Sequence, residues 1–580
     1  MRNLQLKSAV EKAKLELSAD NLPTLEAAKN RLTKAIVRAE SYIAIGTSNG
    51  NKWAKFLRLA TIKAELEKEL PDVDKIAELE RNLAQNYPGL ESSALAELRS
   101  ALGETKRALR HGMTTDRTMR NLNGYVDRLL ASLDSEEASQ DRFKLSRDVG
   151  RVVNFLYECE QTPEAISEMR AYFGQPNLQV FARERFVNRL LSDPVAKPSP
   201  VNECILGTRV IGNACLQGNL MADLMPMPNG VSIQLSLNGT LTSDNRGFNR
   251  GVVLGTTSSS TVSLSKLLYA SLDSLSSSPA IVCTDTSTQI NSISHKLRIV
   301  RKIARKKVAQ QKPQADAIAE RRMQNKLRRQ YDDQVEEQLQ IARAKLQETK
   351  SNPRPEFVRF EIPRPLVGAN SSHDAVHGNV VQAAAYQLAA EESCKLPKPL
   401  GADVVIELHQ SMAINVLDSF LADRTIKEYQ IPDLAKQLLG KVPENLEPNP
   451  EPFVATMTPF NPIDVAFDEG QVALKLLFRR LDGKDNQVEY ARVKVAYMPV
   501  LKAGNLTLKR QGEISVELPT VRSAIERTSK QSGAKAKMEP IFKEEIVLGK
   551  LDLKKFLPNA PNMELSHIQI DDGWMQIGAR

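Results

Sequence analysis

Met323, Leu327, Tyr331, Val335 and Leu339 recur at a strict spacing of four inside a long helical stretch, and Ala342 and Leu346 carry the row further. Four residues of α-helix turn about 400°, so each step moves this apolar row about 40° around the axis. A coiled-coil seam, with its 3.5-residue period, stays facing its partner instead. The row therefore winds, which fits packing along a twisted sheet better than pairing with a second straight helix. Ahead of Pro313, Leu297, Val300, Ala304 and Val308 mark an apolar face on the same helix.

The charge of the chain sits on that helix. Between Asn291 and Lys350 there are sixteen Lys or Arg against seven Asp or Glu, a difference of +9 that equals the net charge of the whole 580-residue protein. Lys296, Arg298, Arg301, Lys302, Arg305, Lys306, Lys307 and Lys312 fall in one run without an acidic residue. Such a run can be a solvated structural face, or it can meet an anionic membrane surface or envelope polymer. It can also neutralise nucleic-acid phosphates. Against nucleic acid, Tyr331 is the only aromatic between 291 and 350, so there is no stacking set.

The spacing predicts an α+β protein: an all-α domain followed by two antiparallel β-rich modules packed around the basic helix. Residues 1–192 show helical periodicity, as in Leu25, Leu32, Ile36 and Ala39, with stops at Gly46 to Asn51, Pro71, Tyr87 to Gly89, Gly112 and Gly174 to Asn177. No fixed repeat is present, so a helical bundle or irregular solenoid is expected. Residues 193–202 carry Pro194, Pro198 and Pro200 and read as a linker. Period-two alternation over 203–290, as in Val231 to Leu237 after Asn229-Gly230, predicts an antiparallel module. The helix takes 291–350, and 355–442 mixes strand and helix. A spacer with Pro443, Pro448, Pro450 and Pro452 precedes a C-terminal antiparallel module over 453–580, in which 528–538 reads as a polar loop.

Few motifs carry chemistry. Gly46-Thr-Ser48-Asn-Gly50 has the spacing of a nucleophile elbow, but helical patterns flank it on both sides, where that motif requires a strand-to-helix turn. His373 and His377 are four apart and on a helix could share a metal; Gly378 interrupts any helix, and loop and strand patterns flank the pair. His409 and Ser411, with Asp403 and Asp418 nearby, allow a triad on paper. Ser411 reads more simply as the N-cap of a helix starting at Met412. Five cysteines, never spaced as CxxC, indicate neither a disulfide framework nor a zinc knuckle. No phosphate-cradling loop is present and no cofactor is expected.

Several stretches, Tyr87-Pro-Gly-Leu90, Phe173 to Leu178, Ile205-Leu-Gly-Thr208, the basic helix, Leu408 to Ser411 with Asn415, and Asp572-Gly-Trp574, resemble an uncharacterised family of large exported bacterial proteins. The resemblance implies the periplasm or cell envelope, although neither a signal peptide nor a transmembrane segment is visible in the sequence. The rear half is also similar in plan to tubular lipid-binding (TULIP-like) proteins, where a curved antiparallel sheet wraps a helix and leaves an apolar groove. The expected function is a non-enzymatic envelope protein, structural or binding, holding a hydrophobic ligand or lipid between sheet and helix. The alternatives are a hydrolase or metalloprotein using His373 and His377, and a nucleic-acid scaffold using the basic helix.

Overall fold

The computed structural model describes residues 2–135, 142–351, 353–439, 452–483, 487–502, 504–549 and 562–580. Pro443, Pro448 and Pro450 of the expected spacer lie outside them. The molecule is α+β, with helices first and antiparallel sheets after.

Helices α1 (Arg2–Glu16), α2 (Leu25–Tyr42), α3 (Ser48–Phe56), α4 (Leu59–Glu67), α5 (Val73–Leu83), α6 (Ser93–His111), α7 (Thr115–Leu133), α8 (Arg142–Glu158) and α9 (Pro163–Tyr172) form the front of the chain. They bury two cores. One, around Leu6, Val10, Val126, Val149 and Phe173, joins α1, α7, α8 and α9. The other, around Leu32, Ile36, Leu57, Ile62 and Leu98, joins α2 to α6. The Gly-Thr-Ser-Asn-Gly stretch starts α3: Thr47 Oγ1 accepts from the Gly50 N–H at 3.0 Å. A Cβ at residue 50 would stand 2.2 Å from the Ala44 carbonyl oxygen, so the glycine serves close backbone approach.

A strand interrupts the helical run before residue 192. Leu178–Arg183 form strand β1, followed by α10 (Glu184–Leu191). β1 sits inside a sheet made with β8 (Leu366–Ser371), β9 (Ala375–Val381), β10 (Val404–His409), β18 (Leu565–Asp571) and β19 (Trp574–Ala579), in the order β18-β19-β10-β1-β9-β8. Six residues are too few to separate the two periods, and β1's partners lie about two hundred residues or more downstream.

The expected linker is also a strand. β2 (Asp193–Ile205) pairs along its whole length with β3 (Thr208–Met225). Pro194, Pro198 and Pro200 share one parity, so all three missing donors fall on the same side of the strand. That side is the open edge, because β2 ends the sheet order β2-β3-β4-β5-β6. The remaining strands are β4 (Val231–Asn249), β5 (Val252–Ala270), β6 (Leu275–Ser277) and β7 (Ile281–Ser294), the last pairing with β5.

Helix α11 spans Arg298–Ser351 and passes through Pro313 without a break. Its 54 residues make it about 80 Å long, against about 60 Å for the longest strands beside it. It lies on the inner face of this sheet, with Leu327 and Tyr331 buried among Leu216, Leu235, Leu237, Val262, Leu264 and Val282.

A third sheet follows the short helix α12 (Pro355–Arg359) and the helix α13 (Gln410–Leu421), with α14 (Ile431–Leu439) between its first two strands. It contains β11 (Thr425–Lys427), β12 (Val454–Met457), β14 (Gln471–Asp482), β15 (Gln487–Lys502), β16 (Asn505–Glu517) and β17 (Glu545–Gly549), with β13 (Ile463–Asp468) on β14. The residues after 453 are thus divided between two sheets. Residues 528–538 are not a loop but most of α15 (Ala524–Met538). Its N-cap is Ser523, and Ala534, Lys537 and Met538 are buried. The Lys- and Ser-rich composition hid a short amphipathic helix. Among the described residues, no helix is long and apolar enough to cross a membrane.

Candidate functional site: the groove between sheet and long helix

The inner face of the β2–β7 sheet changes character along its length. Near the β3–β4 turn it is aliphatic, with Ala222, Leu224, Leu235, Leu237 and Leu264 buried. Towards the other end the register sets Ala214 beside Ser243, Ser243 beside Ser258, and Ser258 beside Thr288. Gly218 and Gly239 face each other between the two zones, and a Cβ on either would stand 2.8 Å from the other's Cα.

The helix changes in step. Continued towards the N-terminus, the four-residue row reads Ala319 and Ala315 in place of Met323 and Leu327. Large side chains close the gap between helix and sheet below Met323, and methyl groups leave it open above. The result is a groove enclosing about 280 Å³, with Ala315, Ala319 and Met323 on one wall and Leu216, Leu241 and Leu254 on the other. Its far end is lined by Ile205, Leu206, Val210, Ile290 and Val308. The groove is thus apolar at both ends and hydroxyl-lined between.

The polar belt is mostly self-satisfied. Ser243 and Ser258 share a hydroxyl hydrogen bond of 2.7 Å, and Asn245 Nδ2 donates to Ser243 Oγ at 2.8 Å. Asn245 Oδ1 is buried beside Gly212 and has no hydrogen-bond partner. Charges keep to the rims: Lys312 pairs with Asp316 at 2.7 Å, Arg322 with Glu203 at 3.6 Å, and Lys326 Nζ donates to Ser199 Oγ at 3.0 Å. In the packed part of the interface beyond the groove, burial pushes the Tyr331 hydroxyl up to about 12.

The eight basic residues are not brought into the groove except Lys312. Lys296, Arg298, Lys302, Arg305, Lys306 and Lys307 are exposed, and no ion pair joins them to any described carboxylate; Arg301 Nη1 donates to the His295 carbonyl at 3.3 Å. Of the apolar row, Leu327, Tyr331 and Leu339 are buried, with Met323 and Val335 packed against the same core as Leu327 and Tyr331.

His373 lies in the turn between β8 and β9, and His377 is a residue of β9, so the spacing of four is not helical. The His377 ring stands edge-on to Phe181 at 5.0 Å, and burial, with Lys398 nearby, lowers its pKa. Among the described residues, no three His, Cys, Asp or Glu side chains gather where they could hold a metal ion.

The paper triad is not assembled. α13 begins at Gln410, and its N-cap is His409 rather than Ser411: His409 Nδ1 accepts from the Ser411 N–H at 3.2 Å and lies 2.9 Å from Ser411 Oγ. A ring nitrogen capped the helix where a hydroxyl was expected. Asp403 is engaged by Arg185 and Arg189, and Asp418 by Gln387, so neither orients the imidazole. Burial holds His409 down to about 4, a weak base at neutral pH.

The fold and this groove define a class of protein, a long antiparallel sheet clasping a helix around an elongated cavity. No family model matches the chain, and no curated protein matches it. Among solved structures, a crystal structure of lipopolysaccharide binding protein aligns over 70% of this chain and 98% of that chain, at 11% identity and a TM-score of 0.27. A likeness that slight lends no weight to any reading of the groove.

Proposed function

We propose that this is a non-enzymatic binding protein of the cell envelope, which holds a hydrophobic ligand in the groove between the β2–β7 sheet and α11. The observation that carries the reading is the paired loss of bulk: Ala315 and Ala319 on the helix face Ala214, Ser243 and Ser258 on the sheet. A structural contact would be filled at native packing density, as it is lower on the same helix around Leu327 and Tyr331. At about 280 Å³ the groove lies at the low end of the ~300–1,000 Å³ typical of small-molecule sites. That size suits one acyl chain or one small amphiphile rather than a many-chained lipid.

Titration with a fluorescent fatty-acyl probe tests this. Saturable uptake by the wild-type protein, abolished by Ala319→Trp, supports it. Uptake that does not saturate, or that survives Ala319→Trp unchanged, contradicts it.

A further inference from the structure

One end of the β2–β7 module is tethered, and among the described residues no hydrogen bond joins the turns at the other end to another sheet. At the tethered end, Met227 and Ser371 exchange backbone hydrogen bonds of 2.8 and 3.0 Å, and Ser371 Oγ donates to the Met225 carbonyl. At the other end stand the two-residue turns Leu206-Gly207 and Arg250-Gly251 and the start of α11. α11 is longer than the strands, and none of its residues before Leu327 is buried.

The first turns of α11 and the residue before them expose large apolar side chains. Ile299 is 76% exposed, Ile303 63% and Leu297 62%, and Phe248 and Leu206 are exposed on the neighbouring strand and turn. Ile299 and Ile303 are four apart and share one face, rotated about 100° from the Val300, Ala304 and Val308 face that is half-buried. Leu206 holds a left-handed φ of 47° at a turn position where Asn or Gly is at ease, so a bulky aliphatic group is presented there at the expense of strain. Around these groups lie Lys296, Arg298, Lys302, Arg305, Lys306 and Lys307, which pair with no described carboxylate.

We infer that this end of the module docks on an anionic lipid bilayer surface. The aliphatic side chains enter the interface and the ring of cations meets lipid phosphates, the combination that interfacial basic helices use. Charge complementarity selects the occupant. Duplex nucleic acid would satisfy the cations but would leave Leu297, Ile299 and Ile303 in water, with no aromatic beside them on the helix to stack a base. The surface has a direction as well. Ile205, Leu206, Val210 and Val308 line the groove at this same end, so docking turns the groove mouth to the membrane. In that last respect the inference rests on the groove's holding a hydrophobic ligand; the docking itself does not.

The test is flotation of the full-length protein with vesicles of phosphatidylcholine alone and with about 30 mol % phosphatidylglycerol added. Binding is expected only to the anionic vesicles, and it should weaken as salt is raised. Leu297→Ser with Ile299→Ser and Ile303→Ser should lower partitioning at least about tenfold, as should Lys302→Glu with Lys306→Glu, while circular dichroism stays unchanged. A variant that loses its fold is replaced by the single Ile299→Ser, which packs against nothing buried and should still lower partitioning. Equal binding to both vesicle types, no binding to either, or binding to duplex DNA in preference to anionic vesicles overturns the inference. Vesicle binding by a protein whose groove takes up no acyl probe upholds docking and removes the groove reading, whereas probe uptake without vesicle binding does the reverse.

Discussion

Lys266 Nζ lies 2.5 Å from the Asp332 carboxylate, joining the inner face of β5 to α11 within the aliphatic packing. Lys266 is only 4% exposed, and the same carboxylate accepts from the Ala280 N–H at 3.1 Å. Removing one partner of such a pair leaves the other charge unpaired in a poor solvent. Asp332→Asn, which strands the buried Lys266 ammonium, should therefore cost about 3–5 kcal/mol, and Lys266→Met less, because the Asp332 carboxylate it leaves is 32% exposed and keeps the Ala280 N–H. Hydrogen exchange in β5 and α11 reads this locally. A whole-chain melt would not, since three sheets need not unfold together.

The filled and open parts of the helix row should respond oppositely to substitution. Leu327→Ala removes a buried side chain from a packed core and is expected to cost about 2–5 kcal/mol. Ala319→Leu adds bulk where space already exists, so stability should change little while acyl-probe uptake falls. Equal stability losses at the two positions would mean that the groove is closed in solution.

Asp418 provides a pH signature independent of the groove. It is buried, its Oδ1 has no partner, and burial pushes its carboxyl up to about 6. The folded state then binds more protons than the unfolded chain between about pH 4 and 6, so stability is lost as pH rises through that window. The loss, on the order of 3 kcal/mol, is complete above about pH 6. Asp418→Asn should be the more stable protein near neutral pH, with the gap closing as pH falls to about 4 in denaturant titrations. His111 and His409 work in the other direction. Burial holds both at about 4, so their contribution is present above about pH 6.5 and is lost as pH falls towards 4.

Leu206 separates strain from docking. Leu206→Asn should relieve the left-handed backbone by about 0.5–1 kcal/mol and lower binding to anionic vesicles at the same time. Thermal melting and flotation of the same preparation check the pair of effects; greater stability with undiminished vesicle binding would remove Leu206 from the docking surface.

Much of the architecture could be read from periodicity. The winding row from Met323 to Leu339 pointed to a helix lying on a twisted sheet, and Leu327 and Tyr331 do pack on one. Strands β4, β10 and β14 carried clear alternation. What escaped notice depended on neighbours distant in sequence. β1 is six residues whose partners come after residue 375, and β2 tolerates its prolines only because it is an edge. The groove escaped for a different reason. Reading a helix by its large apolar residues stops at Met323, whereas the site begins where the same row turns to Ala319 and Ala315. A row that keeps its spacing while losing its bulk was the available signal.

Native mass spectrometry of the purified wild-type protein, followed by organic extraction, bears most directly on the groove. A hydrophobic molecule of discrete mass is expected at about one per chain, released on unfolding and absent from Ala319→Trp when α11 keeps its exchange protection. A wild-type protein that carries nothing, and that stays empty after incubation with fatty acids and phospholipids, would contradict a ligand-holding groove.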